Sequence, residues 1–196
     1  MLKKILQKDE KVLREIAKEV PIQNIKTAKI KKVLKEMSEA LKSQDDGVAI
    51  AAPQIGYSLR IFIVSGKIFR ADFPGRGVSK NNQNGEQGSS ATPLGVNSDP
   101  VKGNSDLKNL IFINPKISKL SREKEWVPEG CLSVRPLYGK TFRSKKATVA
   151  AYDENGKKFI RGASGLLAQI FQHETDHLNG ILFIDHAKDV KAEEPK

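Results

Sequence analysis

Residues 164–180 read SGLLAQIFQHETDHLNG, and this stretch holds the strongest structural signal in the chain. Ser164 is a residue type that caps helices, and apolar residues recur after it at helical spacing. Asn179 and Gly180 then supply a left-handed stop. The stretch is therefore predicted to be one helix close to the C-terminus. Its apolar positions include Leu166, Leu167, Ile170 and Phe171.

Two histidines stand four residues apart on this predicted helix, as His173 and His177. That spacing puts both imidazoles on one helical face, where they can bind one metal ion. Glu174 lies about 100° further round the helix, which suits a carboxylate that reaches a metal-bound water. Two core histidines bonded to backbone carbonyls are the alternative, but chance produces this pattern in only a few chains per thousand, roughly. The remaining histidine, His186, lies past the helix and is expected to be a surface or packing residue.

A hydrolytic metal site needs a third protein ligand, with one position left for water. One class of H-E-x-x-H protease places a histidine six residues further on, yet Phe183 stands there. Another class uses a glutamate on a downstream helix, whereas only Glu193 and Glu194 follow, in a short charged tail. The single cysteine, Cys131, remains as a candidate, because metal binding deprotonates a thiol at neutral pH. Two histidines with one thiolate and a water would suit zinc.

The rest of the chain predicts an α+β fold, with small antiparallel sheets packed around the C-terminal helix. A second amphipathic helix is expected over about residues 25–43, and strands are expected at 59–65 and 110–114. The dipeptide Asn155-Gly156 between two short apolar runs predicts a hairpin. Pro53 excludes a central strand or a helix interior, so the small apolar stretch around it is expected to be extended.

Residues from about 66 to 108 lack periodicity and are rich in Gly, Asn, Ser and Gln at their centre. About forty such residues are unusual within one compact domain. The segment is therefore predicted to be a mobile insertion in a single domain spanning residues 1–196. A tolerated surface loop is favoured over a functional lid.

Composition indicates a globular protein that stays where it is made, with 38% hydrophobic and 29% charged residues and no signal or membrane-spanning stretch. One cysteine allows no internal disulfide and fits a reducing compartment. The net charge of +11 favours a polyanionic neighbour. The lysines are scattered, however, and aromatic residues make up only 6%, so neither a base-stacking platform nor recognition of a specific nucleic-acid sequence is expected.

Three motifs give the chain a resemblance to the peptide deformylases. Residues 47–54 (GVAIAAPQ) resemble the family's G-x-G-x-A-A-x-Q segment, and residues 129–133 (EGCLS) and 172–177 (QHETDH) match the other two at every fixed position. Apart from the insertion, the resemblance extends to about residue 185. Ala49 departs from the pattern, because the family has glycine there. If that position needs a positive φ, alanine costs about 1 kcal/mol; otherwise its methyl group narrows the cleft.

The resemblance implies a bacterial, cytoplasmic hydrolase of protein biosynthesis that removes the formyl group from the N-terminal formyl-methionine of nascent polypeptides. It implies ferrous iron as the active metal, with zinc or another divalent ion able to substitute. Glu174 would act as general base and acid in such a site. The resemblance also implies that the side-chain amide of Gln54 and the N–H of Leu132 stabilise the oxyanion.

Further residues follow from the same resemblance. Val48 and Ile170 would line a small pocket for methionine, and backbone groups of Val48 and Gly130 would pair with the peptide as an added strand. Arg143 matches a position near the substrate face, but a lone arginine before a strand is expected to be a surface residue. Asp176 is expected to accept the second N–H of a metal-bound histidine.

Two other functions remain open. The first is a zinc metallopeptidase that cuts internal peptide bonds, although the protease patterns for a third ligand fail. The second is a non-catalytic ribosome-binding or RNA-binding relative, although Glu174 and all three ligands are present. The positive charge is compatible with the ribosome, near the tunnel exit, as a partner in either case. No membrane partner is expected.

Overall fold

A computed structural model describes residues 2–70, 73 and 107–193, which form two α-helices, eight β-strands and several short 3-10 turns. The helices are α1 (Ala28–Lys42) and α2 (Gly165–Leu178). The strands are β1 (Ala49–Ala51), β2 (Ile61–Val64), β3 (Leu110–Leu120), β4 (Lys124–Gly130), β5 (Leu137–Ser144), β6 (Lys146–Tyr152), β7 (Lys158–Ser164) and β8 (Lys188–Ala192).

The strands form two antiparallel sheets. The larger has the order β1-β2-β3-β6-β7, and the smaller has the order β4-β5-β8. Helix α2 contacts strands of the larger sheet and also β5 of the smaller one. The predicted α+β fold, with small antiparallel sheets around the C-terminal helix, is therefore confirmed.

Strand β2 explains how the larger sheet is covered on both faces. All four of its residues are buried, as a short continuous apolar run predicts for a fully enclosed strand. Phe62 and Val64 pack in the cluster on the α2 side, whereas Ile61 and Ile63 pack in the cluster on the α1 side. The larger sheet is thus a layer between the two helices.

Three phenylalanines anchor α2 to the larger sheet. The ring centroids of Phe62 and Phe112 lie 4.5 Å apart, and Phe171 of α2 meets Phe112 edge-on at 5.1 Å. All three side chains are fully buried. Such aromatic pairs contribute about 0.5–1.5 kcal/mol each beyond the area they bury. They help to fix the position of the helix that carries both candidate histidine ligands.

Most of the elements expected from the sequence are present. The helix expected over 25–43 is Ala28–Lys42, and the strand expected over 59–65 is Ile61–Val64. The turn Glu154-Asn155-Gly156 lies in the hairpin that joins β6 and β7. The stretch around Pro53 is extended only in part: residues 49–51 form an edge strand, but Pro53 lies in the 3-10 turn Ala52–Ile55, so the expectation of an extended segment is wrong there.

Strand β3 is longer than predicted, because it continues through Pro115 to Leu120. Its pairing with β6 shifts between Ile113 and Lys116, so the proline lies at an irregularity of the ladder. Asn114 has a φ of 52° and bonds the backbone N–H and carbonyl of Val20 through its side chain. A sequence pattern that ends the strand at a proline misses this continuation.

The predicted cap of α2 is wrong, the predicted stop is confirmed, and the alternatives at Ala49 are resolved. Ser164 occupies the N-cap position of α2, but its side chain makes no capping hydrogen bond. Gly180, with a φ of 75°, does supply the predicted stop after the helix. Ala49 lies in the extended strand β1 and is not among the residues with positive φ. The family's glycine is therefore not needed here for its backbone conformation.

Most of the predicted insertion at about 66–108 lies outside the described residues. Its first part, Gly66–Phe69, forms a 3-10 turn. The mobility of the insertion and the single-domain organisation remain predictions. Neither helix in the described ranges has the length and apolarity needed to cross a membrane.

Candidate active site

The three candidate metal ligands come together beside α2. The Cys131 thiol sulfur and one ring nitrogen from each of His173 and His177 all lie within 4.8 Å of one another. Cys131 Sγ is 3.1 Å from His177 Nε2. Tetrahedral coordination by these donors separates the ligand atoms by about 3–4 Å. The donor set therefore suits one divalent ion in its chemistry, and the three donors lie close enough together to converge on one ion.

Strand β4 positions Cys131 beside α2. Cys131 directly follows Gly130, the last residue of β4, and a Cβ at Gly130 would overlap the ring of Tyr138. Gln172 on α2 accepts a hydrogen bond from Ser144 N at 2.9 Å and donates one to Ser144 O at 3.0 Å. These bonds tie α2 to the smaller sheet and hold the thiol beside the histidines.

A buried carboxylate orients the first histidine. His173 Nδ1 lies 2.7 Å from Glu129 Oε1, so this nitrogen can donate its proton and leave Nε2 to face the other ligands. The carboxyl oxygens of Glu129 also accept bonds from Thr141 Oγ1 at 2.6 Å and from Arg143 Nε and Nη2 at 3.0 and 2.7 Å. Glu129 is therefore fixed on several sides.

Arg143 links this carboxylate to a second one. Its Nη1 lies 2.6 Å from Asp176 Oδ2, while its other nitrogens bind Glu129. Arg143 is only 7% exposed, so the prediction of a surface residue is wrong. Asp176 was expected to accept a hydrogen bond from a ligand histidine. Its carboxylate instead bonds Arg143, and Glu129 is the carboxylate that bonds His173. His186 is exposed, as predicted.

Electrostatics favour a cation among these groups. Burial lowers the pKa of His173, but bonds and charges from Cys131 and Glu129 outweigh burial and raise that pKa well above its ordinary value. Burial, with the nearby charge of His173, holds the pKa of His177 well below its usual range. Burial raises the pKa of Glu129, yet His173 and Arg143 overcome this and leave it well below normal. The centre thus attracts positive charge, and a metal ion would replace the proton on His173.

Glu174 lies next to the candidate ligands, 3% exposed. Its Oε2 is buried and has no hydrogen-bond partner among the described residues. Burial raises the pKa of Glu174 to about 7. A divalent cation nearby would lower this value, because it favours the ionised carboxylate. Glu174 therefore offers an uncommitted buried carboxyl oxygen at the site.

Gln54 and Leu132 reach the same centre from two other segments. Gln54 Oε1 accepts a bond from Ala51 N at 2.8 Å, which leaves the amide nitrogen 3.0 Å from Ser133 Oγ and 3.6 Å from Cys131 Sγ. Leu132 follows the cysteine in sequence and lines the same cleft. Both predicted oxyanion donors thus lie beside the thiol.

A cleft of about 290 Å³ opens over these groups. It lies between the free edges of β1 and β4, the outermost strands of the two sheets. The predicted substrate residues Val48, Gly130 and Ile170 all line it, and so does the methyl-bearing Ala49. An ion pair between Arg135 and Asp46 stands at the same cleft. The structure therefore brings together every residue that the sequence placed in the site.

Replacing Arg143 with leucine is expected to lower the free energy of unfolding by about 3–5 kcal/mol, because Glu129 would stay buried without its main cationic partner. Urea denaturation of the purified variant measures this loss. The matched control is Lys116→Leu, whose pair with Glu19 has side chains 70% and 55% exposed. That change should cost about 1 kcal/mol or less. An Arg143 variant as stable as the control would show that the network does not stabilise the fold.

The fold and the site together define a class of protein. An H-E-x-x-H helix with a thiol as third donor, a buried free carboxyl oxygen and a cleft beside it is the arrangement of a metal-dependent hydrolase. The third donor distinguishes it from the H-E-x-x-H proteases whose patterns fail in this chain.

Comparison with known proteins identifies the family. The sequence profile of the polypeptide deformylase family matches residues 2–193. The chain is 34% identical to peptide deformylase 2 of Clostridium acetobutylicum over 184 residues, which cover 94% of each protein. A peptide deformylase of Synechococcus elongatus in complex with actinonin is similar, with a TM-score of 0.69, 28% identity, and coverage of 95% of this chain and 79% of that one. A Met-Ala-Ser-bound peptide deformylase of Acinetobacter baumannii has a TM-score of 0.70 and 25% identity, and the match covers 95% of this chain and 99% of that one.

The chain therefore belongs to the polypeptide deformylase family. Its members are metal-dependent hydrolases that remove the N-formyl group from newly made polypeptides. The relatives in this comparison from Clostridium acetobutylicum and Carboxydothermus hydrogenoformans are bacterial.

Sequence reasoning missed the supporting residues of the site. Glu129 belongs to the same short motif as Cys131, which was the available signal for it. Gln172 likewise precedes the first histidine within the third motif. No local pattern indicated that Arg143 would bridge Glu129 and Asp176, because all three come from separate elements.

Proposed function

We propose that this chain hydrolyses the N-formyl group of N-terminal formyl-methionine on nascent polypeptides, through a divalent metal ion held by Cys131, His173 and His177. The observation that carries the proposal is that these three donors meet beside a cleft which Cys131, His173 and Glu174 line, and that Glu174 has an unpartnered buried oxygen there. The products are formate and a free N-terminal amine.

The resident metal in this proposal is ferrous iron, which zinc or another divalent ion can replace. The Cys131 thiolate supplies a soft donor, and His177 is held neutral by burial. When bound, the ion lowers the pKa of a coordinated water and polarises the formyl oxygen. Glu129 keeps the His173 ring oriented through Nδ1, so that Nε2 is the ligand atom.

Glu174 moves the protons in this scheme. Its carboxylate takes a proton from the attacking water, whose oxygen forms the new bond to the formyl carbon. When the carbon–nitrogen bond breaks, the same carboxyl group gives that proton to the departing amine. A buried carboxyl group suits this work, since its pKa lies nearer to neutrality than that of an exposed glutamate.

Two donors are proposed to stabilise the oxyanion that forms when the water adds. One is the side-chain amide of Gln54, which is aimed at the thiol by the bond from Ala51 N to its own oxygen. The other is the backbone N–H of Leu132 beside Cys131. Because both groups are held by surrounding structure, they can stabilise developing charge without reorganising.

The peptide is proposed to bind as an added strand between the edges of β1 and β4. The carbonyl of Pro128 accepts a hydrogen bond from Gln169 Nε2 at 2.8 Å, so this carbonyl points away from β5. Antiparallel pairing alternates, which turns the backbone of Gly130 toward the cleft as well. Gly130 can therefore bond an extended peptide through its main chain.

On the β1 wall of the cleft, the residue whose backbone can bond the peptide is Ala49, one position after the predicted Val48. The carbonyl of Val48 already accepts a bond from Ser65 N at 2.8 Å. The backbone groups of Ala49 consequently point to the free edge, and Val48 contributes to the wall of the cleft. Ile170 lies on the α2 side as the apolar wall for the methionine side chain. The Acinetobacter baumannii relative is bound to Met-Ala-Ser, which supports a peptide beginning with methionine as a ligand of this chain.

The proposed setting is the bacterial cytoplasm, because polypeptides begin with formyl-methionine there. Newly made chains emerge from the ribosome, and a net charge of +11 favours proximity to its RNA. The ribosome near the tunnel exit is therefore a proposed partner. This attraction should weaken with added salt, since it arises from contacts with phosphates.

A peptide panel tests the proposal against its closest alternative. Anaerobically prepared protein is expected to release formate from formyl-Met-Ala-Ser and to leave Met-Ala-Ser intact. Formate assay and mass spectrometry of the products measure both outcomes. Cleavage of an internal peptide bond in a longer unformylated peptide would favour a metallopeptidase. A metal-loaded protein that releases no formate would contradict the proposed reaction.

A further inference from the structure

The outer face of the smaller sheet carries an exposed aromatic pair. Trp126 on β4 lies directly opposite Phe142 on β5, with their ring centroids 5.2 Å apart and tilted by 37°. The two residues are 45% and 49% exposed. Large apolar groups paired in this way on a surface mark an interaction site more often than single ones do.

Lysines surround the pair on the same face. Lys188 Nζ lies 4.8 Å from the centre of the Trp126 ring, and Lys124 Nζ lies 5.9 Å from that of Phe142. Lys140 is the third, and it pairs with the exposed Asp189 at 3.2 Å. Three lysines against one aspartate leave this face positive. The aromatic pair and these lysines are called the aromatic–lysine face below.

The aromatic–lysine face is separate from the active site. Successive residues of a strand point to opposite sides of a sheet, so Trp126 and Phe142 face away from Glu129 and Arg143. Those two residues are buried and bond the His173 and Asp176 side chains. A partner on the outer face therefore need not block the cleft.

Single-stranded RNA matches this combination of groups. Bases stack on exposed aromatic rings of a sheet, while lysines contact the phosphates on either side. The lysine contacts with the rings are exposed and weak, so a stacking base can replace them as the lysines turn to phosphate. RNA is also the polyanion that surrounds newly made polypeptides, the substrates of this family.

We propose that the aromatic–lysine face binds single-stranded RNA, with bases stacked on Trp126 and Phe142 and phosphates bound by Lys124, Lys140 and Lys188. The sequence favoured no base-stacking platform, because its aromatic residues are few and its lysines scattered. The pairing of β4 with β5 brings two of those few rings together. Such a platform reads the base faces rather than a particular sequence.

The single tryptophan of the chain makes the test direct. Titration of the full-length protein with a single-stranded oligouridylate of about 12 nucleotides should quench its tryptophan fluorescence, because a base stacks on the ring. In anisotropy measurements with labelled RNA, Trp126→Ala is expected to weaken binding by about fivefold or more. Ile160→Ala removes an apolar side chain that is even more exposed, at 71%, from the larger sheet and should leave the affinity unchanged.

The lysines are tested by salt dependence. The double variant Lys124→Ala/Lys188→Ala should reduce the slope of log affinity against log salt concentration by about 1.4, because each phosphate contact on a single strand contributes about 0.7. Lys29→Ala/Lys31→Ala on α1 removes the same charge elsewhere and should leave the slope nearly unchanged. Formate release should be normal in all these variants.

Three outcomes would overturn the proposal. Tryptophan fluorescence that RNA leaves unchanged would exclude stacking. Equal affinity of the wild type and Trp126→Ala would mean that only diffuse charge attracts RNA. Binding to vesicles of phosphatidylglycerol and phosphatidylcholine, with no binding to RNA, would assign the face to an anionic lipid surface.

Discussion

Replacing Glu174 with alanine is expected to lower kcat for formate release by about 10²- to 10⁴-fold, the usual contribution of a positioned proton-transfer group. The carboxyl oxygen of Glu174 is buried beside the candidate ligands and has no other partner in the described chain. No neighbouring carboxylate can replace it, because Glu129 and Asp176 are held by Arg143. Steady-state assays with a formyl-Met peptide measure the effect, and elemental analysis checks that the metal content is unchanged.

Two further variants separate catalysis from folding. Glu174→Gln should be as inactive as the alanine variant but at least as stable as the wild type, because burial disfavours the ionised carboxylate that glutamine replaces. Glu19→Ala removes a carboxylate whose side chain is 55% exposed, and it should retain full activity. A Glu174→Gln protein with a full metal content and the wild-type rate would show that another group moves the proton.

The sequence was sufficient for elements whose signal is local. The two histidines and Glu174 lie within one helix, where periodicity fixes which side chains share a face. The stop at Gly180 lies just after that helix and is equally local. Strand β2 is likewise recognisable, because a buried strand leaves a continuous apolar run. Cys131 could be named only by elimination and by its motif, since its distance from α2 depends on the whole fold.

Features that depend on contacts between distant elements could not be predicted from the sequence. Arg143 looked like a lone surface charge, whereas the packing of β5 against α2 buries it between Glu129 and Asp176. Strand β8 has five exposed residues and no alternating pattern, so nothing in its composition indicated a strand. It forms by pairing with β5, a partner far away in sequence.

Contacts between exposed side chains of different strands are equally hard to predict from the sequence. Trp126 and Phe142 are separated in sequence and carry no motif, but cross-strand pairing places their rings side by side. Composition counts aromatic residues without locating them. A sparse set of rings can therefore still form a platform when two of them occupy opposite positions on neighbouring strands.

Removing the metal is expected to lower the thermal stability of the protein as well as to abolish its activity. A ligand present at about 100 times its Kd stabilises the folded state by about 2.7 kcal/mol. For a domain of this size about 2–4 °C of Tm corresponds to each kcal/mol, so a chelator should lower the Tm of the loaded wild type by about 5–11 °C. His177→Ala and Cys131→Ala should lack bound metal, release almost no formate and show no chelator shift.

The third histidine provides the matched control for this experiment. His186 is exposed, and its Nε2 lies 4.0 Å from Asp176 rather than among the donors that meet at α2. His186→Ala should therefore keep its metal, its activity and its full chelator shift. The opposite result would contradict the proposed ligand set. If His177→Ala retained one equivalent of metal and the chelator shift while His186→Ala lost both, His186 and not His177 would be the ligand. Loss of metal in the His177 and Cys131 variants alone would tie both activity and stabilisation to the three donors, because only their atoms come close enough to share one ion among the described residues.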